Sequence, residues 1–376
     1  MTAKAQSTDL AAGRRVVVKI GSDLLVDDEH GTVHRHWLET LAEDLAVCRG
    51  RDQELVIVSS GAIALGRRYL RLSDGDLRLE EKQAAAATGM VRLAHAYQEI
   101  LEKHGMTVAQ VLLTLDDSEN RRRYINARNT LEVLLRAGAV PVINENDTVA
   151  TAEIRFGDND RLAARVAQMA SADLMVLLSD IDGLYTADPR TDPTAAFVPE
   201  VSVITPEIEA MAGAPNPLDG SGGMVTKLAA ARVATAAGCA MVIADGTRLN
   251  PLAAIADGAR RTWFSAESNP KAQRKQWIAA SLRTAGSLVI DGGALAALGK
   301  GKSLLPAGVV AVEGEFGRGD AVSVRGPDGS EAARGLIAYS AADARRIAGY
   351  KSREIEGLLG YRGREEMIHR DDLALL

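Results

Sequence analysis

Short apolar runs recur along this chain and alternate with stretches in which apolar positions return every three or four residues. Residues 16–18, 55–58, 140–143, 174–178 and 240–243 are apolar runs of Val, Ile, Leu and Met with Pro141 and Ala240 among them, the pattern of strands buried on both faces. Between them, Trp37, Leu38, Leu41, Leu45 and Cys48 recur at helical spacing. Residues 80–103 form an Ala-rich helical stretch, 107–113 a strand, and 126–136, 160–170 and 224–237 further helices. This alternation predicts βαβ units and an α/β fold built on a mostly parallel sheet.

The pattern changes after about residue 265. Residues 265–283 are polar and charged, with a short helix expected around 273–280. Beyond them, strands are expected at 287–290, 308–312, 321–324 and 335–339, separated by Gly-rich turns. Such spacing predicts a small β-barrel-like domain. The expected organisation is a disordered N-terminal tail over 1–13, a catalytic domain over 14–265, a linker over 266–283 and the small domain over 284–373.

Composition narrows the class. The chain has 376 residues, 47% hydrophobic and 25% charged, as soluble two-domain proteins do. Its net charge is -6, and residues 283–376 hold thirteen basic and thirteen acidic side chains, which argues against RNA as a partner. Cys48 and Cys239, far apart in apolar contexts, do not make a disulfide framework and fit a reducing compartment. No apolar run approaches the ~18 residues of a membrane span, and residues 1–12 lack a signal-peptide core. A cytoplasmic protein without membrane contact is expected.

The candidate chemistry lies at the ends of the apolar runs. Lys19-Ile20-Gly21-Ser22, Ser59-Ser60-Gly61-Ala62 and Asn144-Glu145-Asn146-Asp147 each trail a strand, where open parallel sheets bind ligands. Gly157-Asp158-Asn159-Asp160 opens a helical stretch. The Gly220-Ser221-Gly222-Gly223 run precedes another, so free backbone N–H groups and the helix dipole would face an anion, with Thr226 and Lys227 in the first turn. Lys19 would act as a point charge on a phosphate oxygen, or stand solvated at its strand end. The Asn/Asp-rich segments suit a joint ligand site, and equally suit turns. Gly299-Lys300-Gly301-Lys302-Ser303 looks like the end of a P-loop, but Ala296 occupies the position of its first Gly. His30, His34 and His36 lack partners at metal spacing, and Arg121-Arg122-Arg123 reads as a solvated charge run.

Taken in order, the segments VVVKIGS, IVSSGAIALG, PVINENDTVATAEIRFGDND, LLSDIDGLYTADPR and GSGGMVTK resemble the amino acid kinase superfamily, and within it the glutamate 5-kinases. SLLPAGV and YSAADARRIAGYKSREIEGLLGY resemble the PUA-type domain that many of those enzymes carry. Ser59 and Ser221 stand where the family often has Thr. The resemblance implies an α/β fold with a three-layer αβα open, mostly parallel sheet, plus a small C-terminal β-barrel-like PUA-type domain. It implies transfer of the ATP γ-phosphate to the side-chain carboxylate of L-glutamate, the first step of L-proline biosynthesis, with L-proline as feedback inhibitor. Lys19, Asp160 and Lys227 would be catalytic. Ser60, Asp147 and Asn159 would bind glutamate. Lys19, Ser179, Asp180, Ser221, Gly222, Gly223, Met224, Val225, Thr226 and Lys227 would contact ATP, with Mg2+ on its phosphates and no protein metal ligand assigned. A homo-oligomer, dimer or tetramer, is implied as well.

Overall fold

The computed structural model describes residues 9–27, 30–73, 75–150, 158–213, 223–266, 272, 273, 275, 278 and 284–376. The chain divides into two compact units, Met1–Glu119 with Ala127–Pro270, and Asn120–Asn126 with Lys271–Leu376.

The first unit is built on one eight-stranded sheet. Its strands are β1 (Arg15–Ile20), β2 (Glu54–Ser59), β3 (Val108–Leu113), β4 (Val140–Glu145), β5 (Leu174–Ser179), β6 (Glu200–Val201), β7 (Ala240–Asp245) and β8 (Arg261–Phe264). They lie in the order β6-β8-β7-β5-β1-β2-β4-β3. Every pairing is parallel except that of β7 with β8. The chain therefore runs outward from β1 in one direction and returns to its other side with β5. That reversal is where such sheets open a crevice for ligands.

Strand alternation divides β1 between two faces. Val16, Val18 and Ile20 join a core with Leu38, Leu41 and Leu45 of α1 (Arg35–Gly50) and Leu93 and Ile100 of α3 (Leu79–Glu102). Val17 and Lys19 point the other way, toward α5 (Asp158–Ala170), which packs on β1. β1, β2, β4, β5 and β7 are buried along almost their whole length, which explains their apolar runs, whereas the edge strand β3 stays partly exposed.

Two expectations need correction before residue 137. Residues 9–13 are not tail: Leu10–Ala12 form a 3-10 turn capped by Asp9, Leu10 is buried, and Gln53 Nε2 donates to the Leu10 carbonyl at 2.9 Å. Residues 1–8 lie outside the described residues. The helix expected over 126–136 begins earlier, as α4 (Arg121–Arg136), because Asn120 Oδ1 accepts the Arg123 N–H and caps its first turn. Low mean apolarity in that Arg run hid the start from a reading of hydrophobic period.

The second unit holds a five-stranded sheet of β9 (Gly286–Ile290), β10 (Val309–Gly314), β11 (Ala321–Arg325), β12 (Glu331–Leu336) and β13 (Leu373–Leu375), ordered β10-β9-β11-β12-β13. Leu288, Ile290, Val322, Val324, Ile337, Met367 and Ile368 fill its core. The strand expected at 335–339 lies earlier, as β12. The turn at Asp328–Ser330, where Asp328 Oδ1 accepts the Ser330 N–H, registers β12 against β11 as a hairpin. Ile337 and Tyr339 are buried beyond the ladder with Ala338 half-buried between them, and the apolar character of the three misled the expectation. The helix expected around 273–280 and the linker expected over 266–283 fall mostly outside the described residues.

Candidate functional site

At the carboxyl end of the central strand β1, Lys19 is in register with Val58 on one side and Leu177 on the other. It is buried, and its Nζ lies 2.6 Å from Asp160 Oδ1. Asp160 sits in the first turn of α5 and is 1% exposed. Lys227, buried in the first turn of α6 (Met224–Ala236), places its Nζ 3.6 Å from the other carboxylate oxygen, Oδ2. Two ammonium groups distant in sequence thus meet on one carboxylate. Thr226 Oγ1 stands 3.0 Å from the same Oδ2 and 2.9 Å from the Gly223 carbonyl, so it can donate to either.

Burial alone would raise the Asp160 pKa. The Lys19 and Lys227 ammoniums, with hydrogen bonds from Lys19 and Thr226, outweigh it and hold the carboxyl below its ordinary value. Asp160 is therefore an anion at neutral pH, and the two lysines are held close together against their mutual repulsion. An incoming phosphate oxygen would find both cations on one side of the sheet.

A second group adjoins this one. Ser59 ends β2, and Gly61 (φ 95°) turns the chain into α2 (Ala62–Tyr69). A Cβ at Gly61 would come within 2.7 Å of Val26 Cγ2, so both conformation and space require glycine. Asn159 Nδ2 donates to Ser60 Oγ at 2.7 Å and approaches the Ser59 carbonyl at 3.4 Å. Because Asn159 and Asp160 are consecutive at the start of α5, the two groups share one rigid element. Asn159 Oδ1 has no hydrogen-bond partner among the described residues. Asp147 is buried just past the end of β4. Asn144, quoted above in its motif but not singled out, is buried too; its Oδ1 accepts the Glu145 N–H, and its Nδ2 has no partner among the described residues. A buried polar atom left unpaired at a strand end is the mark of a ligand site.

The remaining sequence candidates divide. Ser179 closes β5 and its Oγ donates to Asp180 Oδ1 at 2.9 Å, with Asp180 exposed. Gly223 caps α6, Met224 is half-buried and Val225 is exposed. Ser221 and Gly222, like residues 151–157 of the Asn/Asp-rich stretch, lie outside the described residues. Thr226, expected at the nucleotide, also touches Asp160, a contact that sequence distance concealed. The P-loop look-alike sits at the C-terminal end of the helix Gly292–Gly299, whose carbonyls repel anions. His30 bonds Asp27 at 2.8 Å, and no group of three or more His, Cys, Asp or Glu stands at metal-binding spacing among the described residues.

A buried Lys–Asp–Lys cluster thus lies at the carboxyl edge of a doubly wound α/β sheet. The "Amino acid kinase family" model matches residues 14–245 and the "PUA domain" model residues 286–359. Among curated proteins, the chain is 65% identical over 366 residues to the glutamate 5-kinase of Paramagnetospirillum magneticum, covering 97% of this chain and 99% of that one. It is 61% identical over 359 residues to the glutamate 5-kinase of Rhodospirillum rubrum, covering 96% of each. A solved UMP kinase from Bacillus anthracis aligns with 68% of this chain and 97% of its own at 14% identity and a TM-score of 0.49. The chain belongs to the amino acid kinase family, on its glutamate 5-kinase branch, and is a kinase with a C-terminal PUA domain. No helix among the described residues is long and apolar enough to cross a membrane.

Proposed function

We propose that this kinase transfers the γ-phosphoryl group of ATP to the side-chain carboxylate of L-glutamate, giving L-glutamyl 5-phosphate and ADP. The reading is supported by the name its 65%-identical relative carries and, above all, by the Lys19–Asp160–Lys227 bridge. A carboxylate oxygen forms the new P–O bond while the bond from the γ-phosphorus to the ADP oxygen breaks. The acceptor is already ionised at neutral pH, so no general base is required. What the reaction needs is an anion brought up to a triphosphate and the spreading charge neutralised. Lys19 and Lys227 meet that need from two elements, and Asp160 fixes their separation.

Ser60, Asn159 and Asp147 would hold the glutamate, the first two kept in place by their mutual hydrogen bond and the third through its carboxylate facing the amino group. Ser179, Asp180 and the 221–227 segment would contact the nucleotide, which enters as its Mg2+ complex. In this reading the acyl phosphate feeds L-proline synthesis, L-proline inhibits the enzyme, and the active form is a homo-oligomer.

Incubation with ATP, Mg2+, hydroxylamine and one acid at a time tests the reading, because an acyl phosphate is trapped as a hydroxamate. Hydroxamate is expected with glutamate and not with aspartate or acetylglutamate. Hydroxamate from either of the others in place of glutamate would overturn it.

A further inference from the structure

Tyr97 lies in the C-terminal third of α3 with its side chain fully buried, yet its hydroxyl is not spent on that helix or on the core. It stands 3.0 Å from Ser59 Oγ. Ser59 Oγ in turn lies 3.2 Å from the carbonyl of Ser60. A serine hydroxyl has one proton. If Ser59 donates it to that carbonyl, the proton between Ser59 and Tyr97 must come from the phenol. Burial pushes the Tyr97 phenol well above its ordinary value, so it keeps that proton. The relay therefore has one direction, from Tyr97 to Ser59 to the Ser60 carbonyl.

That carbonyl belongs to the Ser60–Gly61 peptide. A planar trans peptide points its N–H opposite to its C=O. Holding the Ser60 carbonyl toward Ser59 therefore aims the Gly61 N–H, at the open start of α2, the other way. Gly61 is at φ 95°, where glycine pays little for either orientation, so an outside hold decides which is kept. On the far side of the same turn, Asn159 Nδ2 grips Ser60 Oγ at 2.7 Å.

We infer that Tyr97 is a positioning residue for the acceptor: through Ser59 it fixes the Ser60–Gly61 peptide that receives the substrate carboxylate. The inference rests on the proposed glutamate site and extends it to a residue outside that site.

Steady-state kinetics with glutamate and ATP varied in turn tests it, alongside thermal melts. Tyr97→Phe removes only the hydroxyl. It is expected to raise the glutamate KM about threefold to tenfold, the range of one hydrogen bond, with kcat and the ATP KM within twofold. Ser59→Ala should give the same split, the double variant should be no worse than the worse single, and Ser59→Thr, which keeps the hydroxyl, should restore the glutamate KM. An unchanged glutamate KM in Tyr97→Phe, equal shifts in all constants, or additive losses would each overturn the assignment. If the unmodified enzyme forms no hydroxamate from glutamate, the proposed substrate fails instead, a result read before any variant is made.

Discussion

Gly66 of α2 and Gly89 of α3 face each other with no side chain between them. A Cβ on Gly66 would lie 1.7 Å from the Ala85 carbonyl oxygen, and one on Gly89 would lie 1.8 Å from that of Ala62. The two helix backbones are in contact: α2 begins at the Ser60–Gly61 turn, and α3 holds Tyr97, whose hydroxyl reaches Ser59. Alanine is the better helix former by about 1 kcal/mol, but here the clash is with backbone and cannot be relieved by a rotamer change. Gly89→Ala is expected to destabilise by about 1–3 kcal/mol net, lowering the apparent Tm by roughly 5 °C. A melt at or above that of the parent protein would show that the helices are not this close.

The charge cluster makes a kinetic prediction. In the proposed mechanism, removing Lys227 would take one of two cations from the transferring group while the nucleotide would keep its other contacts. Lys227→Ala is expected to lower kcat by at least about a hundredfold and to change the ATP KM only a few-fold. Steady-state rates at saturating ATP check this, and an unchanged kcat would remove Lys227 from the chemistry.

Much of this was legible in the sequence because the information is local. Strands buried on both faces announce themselves as apolar runs, and a strand-end lysine or a Gly-rich helix start marks a ligand edge without knowledge of the tertiary fold. The convergence of Lys19, Asp160 and Lys227 followed only from resemblance, since nothing local says which helix starts meet at which strand. Tyr97 gave no signal at all. Within its helical period it reads as one more core aromatic, and its hydroxyl matters only because α3 crosses behind β2. The misplaced strand at 335–339 failed for the converse reason, a buried apolar stretch that hydrogen-bonds outside any ladder.

Asp160 sets a pH dependence whose sign is fixed. Its ordinary pKa is 3.8, and the folded protein lowers it against the effect of burial. A group depressed in the folded state contributes stability that is fully present above its unfolded pKa and is lost as pH falls through its folded value. The stability gap between the parent protein and Asp160→Asn is therefore expected to stay constant from neutral pH down to about 4 and to narrow only below that. Melting curves of both proteins across this range measure the gap. A gap that widened as the pH fell below 6, or that did not change with pH at all, would mean that the carboxyl is not held down by the lysines.

Neither thiol is placed to react. Cys48 and Cys239 are both buried, and burial raises the pKa of each, so little thiolate forms near neutral pH. An aromatic disulfide reagent is expected to titrate no thiols in the folded protein at pH 8 and two per chain in denaturant. Rapid modification of either cysteine without denaturant would contradict the burial.

Gly61 tests the acceptor turn from the backbone side. Its φ of 95° is costly for any residue with a Cβ, by about 1 kcal/mol, and the added methyl would also meet Val26 Cγ2 at 2.7 Å. Those two effects can be separated, because trimming Val26 relieves the contact and leaves the dihedral strain. Gly61→Ala is expected to raise the glutamate KM about tenfold or more while the ATP KM stays within a few-fold. Adding Val26→Ala should recover part of that loss, though the smaller side chain costs stability of its own. Full recovery would place the whole effect in the Val26 contact. No recovery would place it in the backbone dihedral. An unchanged glutamate KM in the single variant would mean that the turn between β2 and α2 does not touch the acceptor.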